Sequence, residues 1–207
     1  MYTPKLFRNE NVAELHDFIR HNGFGILVNH ADAQLWATHI PMVLSADGTK
    51  LTGHLARGNK QGRTFQHGAE VLAIFNGPHT YISSSWYDHE NVPTWNYIAV
   101  HATGMLRLIE GDELLQSLKE LTDKYEQASE RPVSVEKMSP QYLKHEMLGV
   151  TGFEITISKL EGTRKLSQNR DDANHKAIVN ELEKRTDADS HAIAGLMKQD
   201  RPATESH

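Results

Sequence analysis

The chain has 207 residues, of which 38% are hydrophobic and 24% charged, and its formal net charge is −5. These values are typical of one globular domain with its own core, and the negative charge argues against a general affinity for nucleic acid phosphates. The absence of cysteine excludes disulfides, thiolate metal sites and cysteine nucleophiles. The first residues, MYTPKLFRNENVAEL, contain no apolar run, and no later stretch is apolar over the roughly 18 residues that a membrane span needs. We therefore expect a cytoplasmic protein without a membrane partner.

The first half of the chain predicts one helix followed by short strands. Apolar residues at helical spacing predict a helix over Asn11–His21 that ends at Gly23. Runs of β-branched, aromatic and aliphatic residues then predict strands, with a hairpin turn at the sequence SADG. Pro41 lies inside the second strand and predicts an edge or a bulge there. The predicted strands are Phe24–His30, Trp36–Leu44, Lys50–Arg57, Val71–Gly77, Thr80–Tyr87 and Asn96–Ile109.

The second half predicts helices around one further strand. Leucines at helical spacing predict a helix over Gly111–Gln127, and the pair Ser139 and Pro140 predicts the start of another that runs to Leu148. The strand Gly152–Leu160 alternates apolar with polar residues. From Asp171 onward we expect two polar helices and a frayed end, QDRPATESH. Together the elements predict an α+β fold around an antiparallel barrel, with residues 1–170 as one domain and residues 171–207 as a helical appendage.

Common catalytic and metal-binding motifs are absent from the sequence. The stretch NGFGILV would need a glycine at Val28 to match G-x-G-x-x-G, and no P-loop or G-x-S-x-G motif occurs. The thirteen histidines are scattered, and none shows H-x-H or H-E-x-x-H spacing. The sequence therefore predicts neither a metal site nor a catalytic residue.

Three polar segments stand out from the strands around them. In Thr52–Arg63, TGHLARGNKQGR, three glycines accompany two arginines and a lysine, which suits a solvated turn or an anion cradle. In Phe75–Tyr97, aromatic side chains flank serines, which suits a planar heteroaromatic ligand. In Lys165–Arg170, KLSQNR, two cations and two amides suit a phosphate or a polyol. Each segment taken alone also fits an ordinary turn, strand face or helix start.

These segments, together with others, resemble one family in order along the chain. The segments are MYTPKLF, THIPMVL, GHLARGNKQ, FNGPHTYISSSWY, VPTWNY, AVHATG and KLSQNR, and they resemble the PaiB family over roughly residues 1–196. Members of this family are FMN-binding negative transcriptional regulators with a split-barrel flavin-binding fold. The resemblance implies an antiparallel split β-barrel with flanking helices and a homodimer with FMN at the subunit interface.

The resemblance also implies which residues bind the cofactor. Arg57, Asn59, Lys60 and Gln61 match the segment that binds the ribityl phosphate, with Gly58 and Gly62 allowing close approach to the backbone. The isoalloxazine edge would lie along His39, Ile40 and Pro41. A second phosphate or ring contact is implied for Ser83, Ser84, Ser85 and Trp86. The residues that would come from the partner subunit are Trp95, Asn96, Lys165, Gln168, Asn169 and Arg170.

Several functions remain open at this point. The resemblance implies repression of transcription, but the chain has no recognition-helix signature, so whether the partner is DNA or a regulatory protein stays open. The alternative is a flavin-dependent reductase or oxidase, in which His54 and His101 are the candidate acid or base. Haem binding and breakdown, or a cofactor-free scaffold, are further alternatives. Whether the protein is an enzyme is left undecided.

Overall fold

The computed structural model describes residues 1–201, which form seven strands and five α-helices. The strands are β1 (Arg8–Asn9), β2 (Phe24–Ala31), β3 (Gln34–Leu44), β4 (Lys50–Ala56), β5 (Ala69–Ile82), β6 (Thr94–Ile109) and β7 (Val150–Lys165). The helices are α1 (Val12–His21), α2 (Gly111–Glu126), α3 (Pro140–Leu148), α4 (Asp172–Glu183) and α5 (Ala188–Asp200). The predicted frayed end, QDRPATESH, falls outside the described residues from position 202 onward. Among residues 1–201 no helix is long and apolar enough to cross a membrane; the cytoplasmic location stays a prediction.

The strands form one sheet in the order β1-β7-β4-β3-β2-β5-β6, and β6 also pairs with β7. The pairs β2–β3, β2–β5, β3–β4 and β4–β7 are all antiparallel. Alternating burial along β4 places Leu51, Gly53 and Leu55 on the inner face. At Gly53, a Cβ would lie 2.7 Å from Phe153 on β7, so this close packing requires glycine. The predicted α+β class with an antiparallel sheet is confirmed.

The strand prediction is wrong around Ser83. Two strands were expected over Val71–Gly77 and Thr80–Tyr87, but β5 is continuous and ends at Ile82. The side chain of Ser83 accepts a hydrogen bond from the backbone N–H of Ser85, which starts a 3₁₀ turn over Ser84–Trp86. A serine that caps a turn in this way competes with the strand for the same backbone groups.

Strand β3 changes its partner at Pro41. Residues from Gln34 to Pro41 pair with β2, whereas Met42 to Leu44 pair with β4. Proline has no backbone N–H to donate to another strand. Pro41 therefore suits the last position of β3 before pairing with β4 starts at Met42.

The described chain divides into two compact units. The first contains Met1–Asn11, Asn76–Val100 and the chain from Glu161 onward, and the second contains Val12–Phe75 and His101–Leu160. In the first unit, apolar residues of α4 and α5 form a core with Ile82, Tyr87 and Leu166. The predicted boundary between residues 170 and 171 therefore does not coincide with this division. That residues 1–170 form a domain separate from residues 171–207 stays a prediction.

Candidate functional site

The segment that follows β4 is a fixed turn. Asn59 caps a 3₁₀ turn over Lys60–Thr64, and its Oδ1 accepts a hydrogen bond of 2.9 Å from the backbone N–H of Gln61. The backbone N–H of Asn59 donates to the carbonyl of Ala56, the last residue of β4. The turn is therefore joined directly to the end of the strand.

A network of amides and hydroxyls lies beneath this turn. The side chain of Gln61 is only 1% exposed, and its Nε2 donates to the carbonyl of Leu27 (3.0 Å) and to Asn29 Oδ1 (2.9 Å). The Oε1 atom of Gln61 accepts a hydrogen bond of 2.5 Å from Thr38, whose Oγ1 in turn accepts one of 3.1 Å from Asn59. Through these hydrogen bonds, Asn59 and Gln61 hold the turn against β2 and β3.

Three exposed cations surround the turn, namely Arg57, Lys60 and Arg63. Arg57 Nη2 donates to the carbonyl of Val150 at 3.1 Å, which orients its guanidinium group. None of the three forms an ion pair with a carboxylate of residues 1–201. A Cβ at Gly58 would meet no atom within 4 Å, so the surface beside the turn is open. Uncompensated cations on a braced turn fit the phosphate of a flavin mononucleotide.

Trp36 is a residue that the sequence did not indicate. It lies on β3 two residues before Thr38, on the same face, and pairs in register with Asn29. Its Nε1 is buried, and no hydrogen-bond partner exists for it among residues 1–201. A buried N–H without a partner is costly, so Trp36 is a site of unsatisfied hydrogen bonding beside this network. Trp36 lies two residues from Thr38 on a strand. This spacing is the sequence signal that places it beside the hydrogen-bond network of Thr38, Asn59 and Gln61.

The predicted ring contacts on β3 lie on two faces. Ile40 is buried, Pro41 is half-buried and His39 is exposed, stacked on Phe24 with ring centroids 6.3 Å apart. Successive residues of a strand point to opposite faces, so the side chain of His39 lies on the face opposite Thr38. The predicted contact with the isoalloxazine edge used backbone groups of this segment and stays a prediction.

In the first unit, the serine segment forms a local turn. Ser83 and Ser85 hydrogen bond to each other through their Oγ atoms at 2.9 Å, and Ser84 is half-buried. Trp86 packs against the core formed with α4 and α5, and the guanidinium of Arg185 lies 4.9 Å from its ring centroid. These residues are thus engaged in packing within their own unit. Their predicted cofactor contact stays a prediction.

Trp95 and Asn96 are adjacent in sequence but differ completely in environment. Trp95 is 52% exposed, and its ring lies about 6 Å from those of His79 and Tyr81, beside a cleft of about 400 Å³. Asn96 is fully buried, and its amide exchanges hydrogen bonds of 3.0 and 3.1 Å with Ser167. Of the two, Trp95 is the residue whose side chain is available to a ligand or a partner.

The segment KLSQNR is partly occupied by internal contacts. Lys165 Nζ donates to Thr94 at 2.5 Å, and burial together with the nearby charge of Arg170 lowers its pKa. Gln168 bonds to the backbone of Leu166 and Arg164, whereas Asn169 is exposed. Arg170 lies 4.8 Å from the ring centroid of Tyr87. Asn169 is therefore the exposed member of this segment, and the predicted cofactor contacts of the segment stay a prediction.

The structure thus brings the predicted residues together as two sets. Arg57, Asn59, Lys60 and Gln61 form one turn in the second unit, beside β3. The serine turn, Trp95, Asn96 and KLSQNR belong to the first unit. Within residues 1–201 no group of three or more histidine or acidic side chains is arranged to hold a metal ion.

Comparisons with known proteins assign the class. The model of the family described as "Putative FMN-binding domain" matches residues 1–159. Among solved structures, the flavocytochrome Anf3 from Azotobacter vinelandii aligns with a TM-score of 0.62 at 11% identity, over 83% of this chain and 75% of that one. The FAD and heme binding protein from Mycobacterium smegmatis aligns with a TM-score of 0.59 at 15% identity, over 76% and 73%. These two likenesses concern the fold alone.

A closer relationship is visible in sequence. The chain is 40% identical over 200 residues to protease synthase and sporulation protein PAI 2 of Bacillus subtilis, covering 96% of this chain and 97% of that protein. An uncharacterised protein of Emericella nidulans is 26% identical over 96% of this chain and 97% of its own length. The chain therefore belongs to the PaiB family of flavin-binding proteins.

Proposed function

We propose that the protein binds FMN and that the turn after β4 holds the phosphate of the cofactor. The observation that carries this proposal is the set of three exposed cations, Arg57, Lys60 and Arg63, which lack carboxylate partners within residues 1–201. A phosphate dianion is bound best by charge-assisted donors, and arginine offers a fork where lysine offers a point charge. In this proposal Arg57 and Lys60 contact the phosphate, while Asn59 and Gln61 keep the turn in place.

The fold supports the same proposal. The pairing of β6 with β7 joins strands that the sheet order otherwise places far apart, as closure into a split barrel requires. The structural relatives with TM-scores near 0.6 are described as a flavocytochrome and as an FAD and heme binding protein. The family description names FMN. The single phosphate of FMN matches the cationic turn after β4.

The test is a titration of the purified protein with FMN, followed by the quenching of flavin fluorescence. We expect saturable binding and a loss of about tenfold in affinity for Arg57→Ala and for Lys60→Ala, since one charge-assisted hydrogen bond contributes about 1.5–3 kcal/mol. Matched controls are Arg131→Ala and Lys176→Ala, which remove exposed cations elsewhere. If Arg57→Ala and Lys60→Ala both bind FMN with unchanged affinity, the phosphate is bound elsewhere.

We further propose that the protein is a homodimer acting as a negative regulator of transcription. Support for the regulatory role comes from the relative in Bacillus subtilis, whose name refers to protease synthesis and sporulation. In such a dimer, Trp95 or Asn169 would come from the second subunit. Sedimentation with and without FMN tests the dimer. A gel-shift assay at low salt tests direct DNA binding, and no shift with any promoter fragment would contradict direct repression.

A further inference from the structure

A cavity of about 910 Å³ lies in the second unit, between the end of β6, the start of β7 and the helices α2 and α3. Its size is within the range of roughly 300–1,000 Å³ that is usual for small-molecule sites. Its walls are mainly apolar side chains, among them Ile109, Leu114, Leu115, Val135, Leu143 and Met147. The cavity is therefore a candidate site for an apolar molecule.

Helix α3 supplies one wall of the cavity and is itself only partly packed. None of its nine residues is buried, although Leu143 and Met147 face the cavity and Leu148, also in its lining, is 61% exposed. A short helix gains most of its stability from burying an apolar face. Because Leu143 and Met147 are only half-buried and Leu148 is exposed, a molecule in the cavity would cover apolar surface that is now exposed to water.

The charged side chains that line the cavity do not add up to a net charge of zero. Lys119 forms an ion pair with Glu136, and this contact, together with a hydrogen bond from Ser134, lowers the pKa of Glu136 to about 2. The remaining charges are those of Arg57, Lys144 and Glu110, and none of these three has an ion-pair partner within residues 1–201. With Arg57 counted, the lining of the protein without FMN therefore carries one net positive charge beside apolar walls.

We propose that this cavity binds an amphipathic monoanion with a single alkyl chain, of the class of a fatty acid. The chain lies between α2 and α3, and the carboxylate lies at the rim near Lys144. This inference goes beyond FMN binding and, apart from Arg57, uses residues that the FMN proposal does not. Arg57 borders both regions and is left unchanged in the test.

The test uses sodium dodecanoate below its micelle concentration, added to the full-length protein labelled with ¹³C at the methionine methyl groups. Met138 and Met147 line the cavity, whereas Met42 and Met197 are fully buried and do not. We expect saturable shifts of the Met138 and Met147 signals, with those of Met42 and Met197 unchanged. Dodecan-1-ol should bind more weakly, and dodecyltrimethylammonium should not bind.

Two variants separate the head group from the chain. Lys144→Ala should weaken dodecanoate binding about fivefold or more, whereas Lys137→Ala, an exposed lysine that does not line the cavity, should not. Leu143→Trp should fill the space and abolish binding. Lys144→Ala and Leu143→Trp should bind FMN with the affinity of the unchanged protein. A failure of dodecanoate binding can therefore be told apart from a failure of FMN binding.

Three results would overturn the proposal. The first is the absence of shifts at Met138 and Met147 at saturating dodecanoate. The second is equal binding of the alkylammonium probe, because the charge argument would then be wrong. The third is a shift of these two signals with protein concentration alone, since the occupant would then be a second copy of the chain.

Discussion

At the scale of single residues, Gln61 is more informative than the cations beside it. Its side-chain amide contacts β2 through Leu27 and Asn29 and contacts β3 through Thr38. The family resemblance implies that Gln61, together with Arg57, Asn59 and Lys60, belongs to the segment that binds the phosphate. In the structure the two N–H groups of its side chain donate to Leu27 and Asn29, and its predicted contact with the cofactor stays a prediction.

Replacing Gln61 with alanine should therefore affect folding before it affects binding. The change leaves the Oδ1 of Asn29 and the carbonyl of Leu27 without the hydrogen bonds that Gln61 donates, so we expect the free energy of unfolding to fall by about 1–3 kcal/mol. Urea denaturation measures this loss. Gln66→Ala, at an exposed glutamine, is the matched control, and equal effects of the two changes would contradict the bracing role.

His54 gives a second prediction at this scale. Burial lowers its pKa below the ordinary value of 6.5, so the folded protein keeps it neutral while the unfolded chain takes up a proton. The stability that this provides is complete above pH 6.5 and is lost as the pH falls toward the lower folded pKa. His54→Gln should therefore flatten the decrease in stability between pH 7 and 5. His175, whose pKa is also lowered by burial, maintains part of it.

Thermal melts across this pH range measure the slope. His67→Gln changes an exposed histidine and should leave the slope as it is. A slope unchanged by His54→Gln would show that the buried Nδ1 of His54 finds a partner in solution that the structure does not provide within residues 1–201.

At the scale of elements, Arg107 joins three of them. From β6 its guanidinium donates to Glu154 on β7 at 2.8 Å and to both carboxylate oxygens of Glu113 on α2 at 2.8 and 2.9 Å. Burial acts to raise the pKa of Glu154, but Arg107 and Lys50 more than offset it, so the pKa lies below the ordinary value of 4.5. Arg107 thus holds α2 to the sheet through paired charges.

Arg107→Ala should lower the free energy of unfolding at pH 7 by about 1–3 kcal/mol, because a largely buried carboxylate loses its main partner. A carboxylate with a depressed pKa contributes its stability above the unfolded value near 4.5 and loses it as the pH falls through the folded pKa. The difference between the variant and the unchanged protein should therefore shrink from pH 5 to pH 3. Urea denaturation at both pH values, with Arg131→Ala as the control, detects the change; a constant difference would contradict it.

Most elements were predictable from sequence because their patterns are local. The helices α1, α2 and α3 follow from apolar spacing and from Ser139 as the cap, whose Oγ accepts from the backbone N–H of Tyr142. The strand expected over Thr80–Tyr87 ends at Ile82, because the hydroxyl of Ser83 caps a turn there. Aromatic and β-branched composition indicates strands but does not show where a side chain will compete with the ladder.

At the scale of the whole molecule, strand order and the assembly of the site could not be read from the sequence. Neither the placement of β7 between β1 and β4 nor the pairing of β6 with β7 has a local signal. The division of Trp95 and Asn96 into exposed and buried residues depends on Ser167, which lies 71 residues along the chain from Asn96. Contacts of this kind arise only from the tertiary fold.

The C-terminal helices give a prediction at this scale. Residues of α4 and α5 complete a core with Ile82 and Leu166, so a fragment of residues 1–170 would expose these fully buried side chains. We expect the fragment to bind the dye ANS and to lose cooperative thermal unfolding. Calorimetry on the fragment and the full chain makes the comparison. A fragment that melts cooperatively without binding the dye would instead support residues 171–207 as an independent appendage.

The most direct test of the central claim compares FMN with riboflavin, which lacks the phosphate, on the unchanged protein and on the double variant R57A/K60A. If these two cations hold the phosphate, the unchanged protein should prefer FMN by about 100-fold, and the double variant should bind the two flavins within about threefold of each other. Riboflavin affinity itself should change little. If the double variant instead keeps the full preference for FMN, the phosphate is bound by residues other than Arg57 and Lys60.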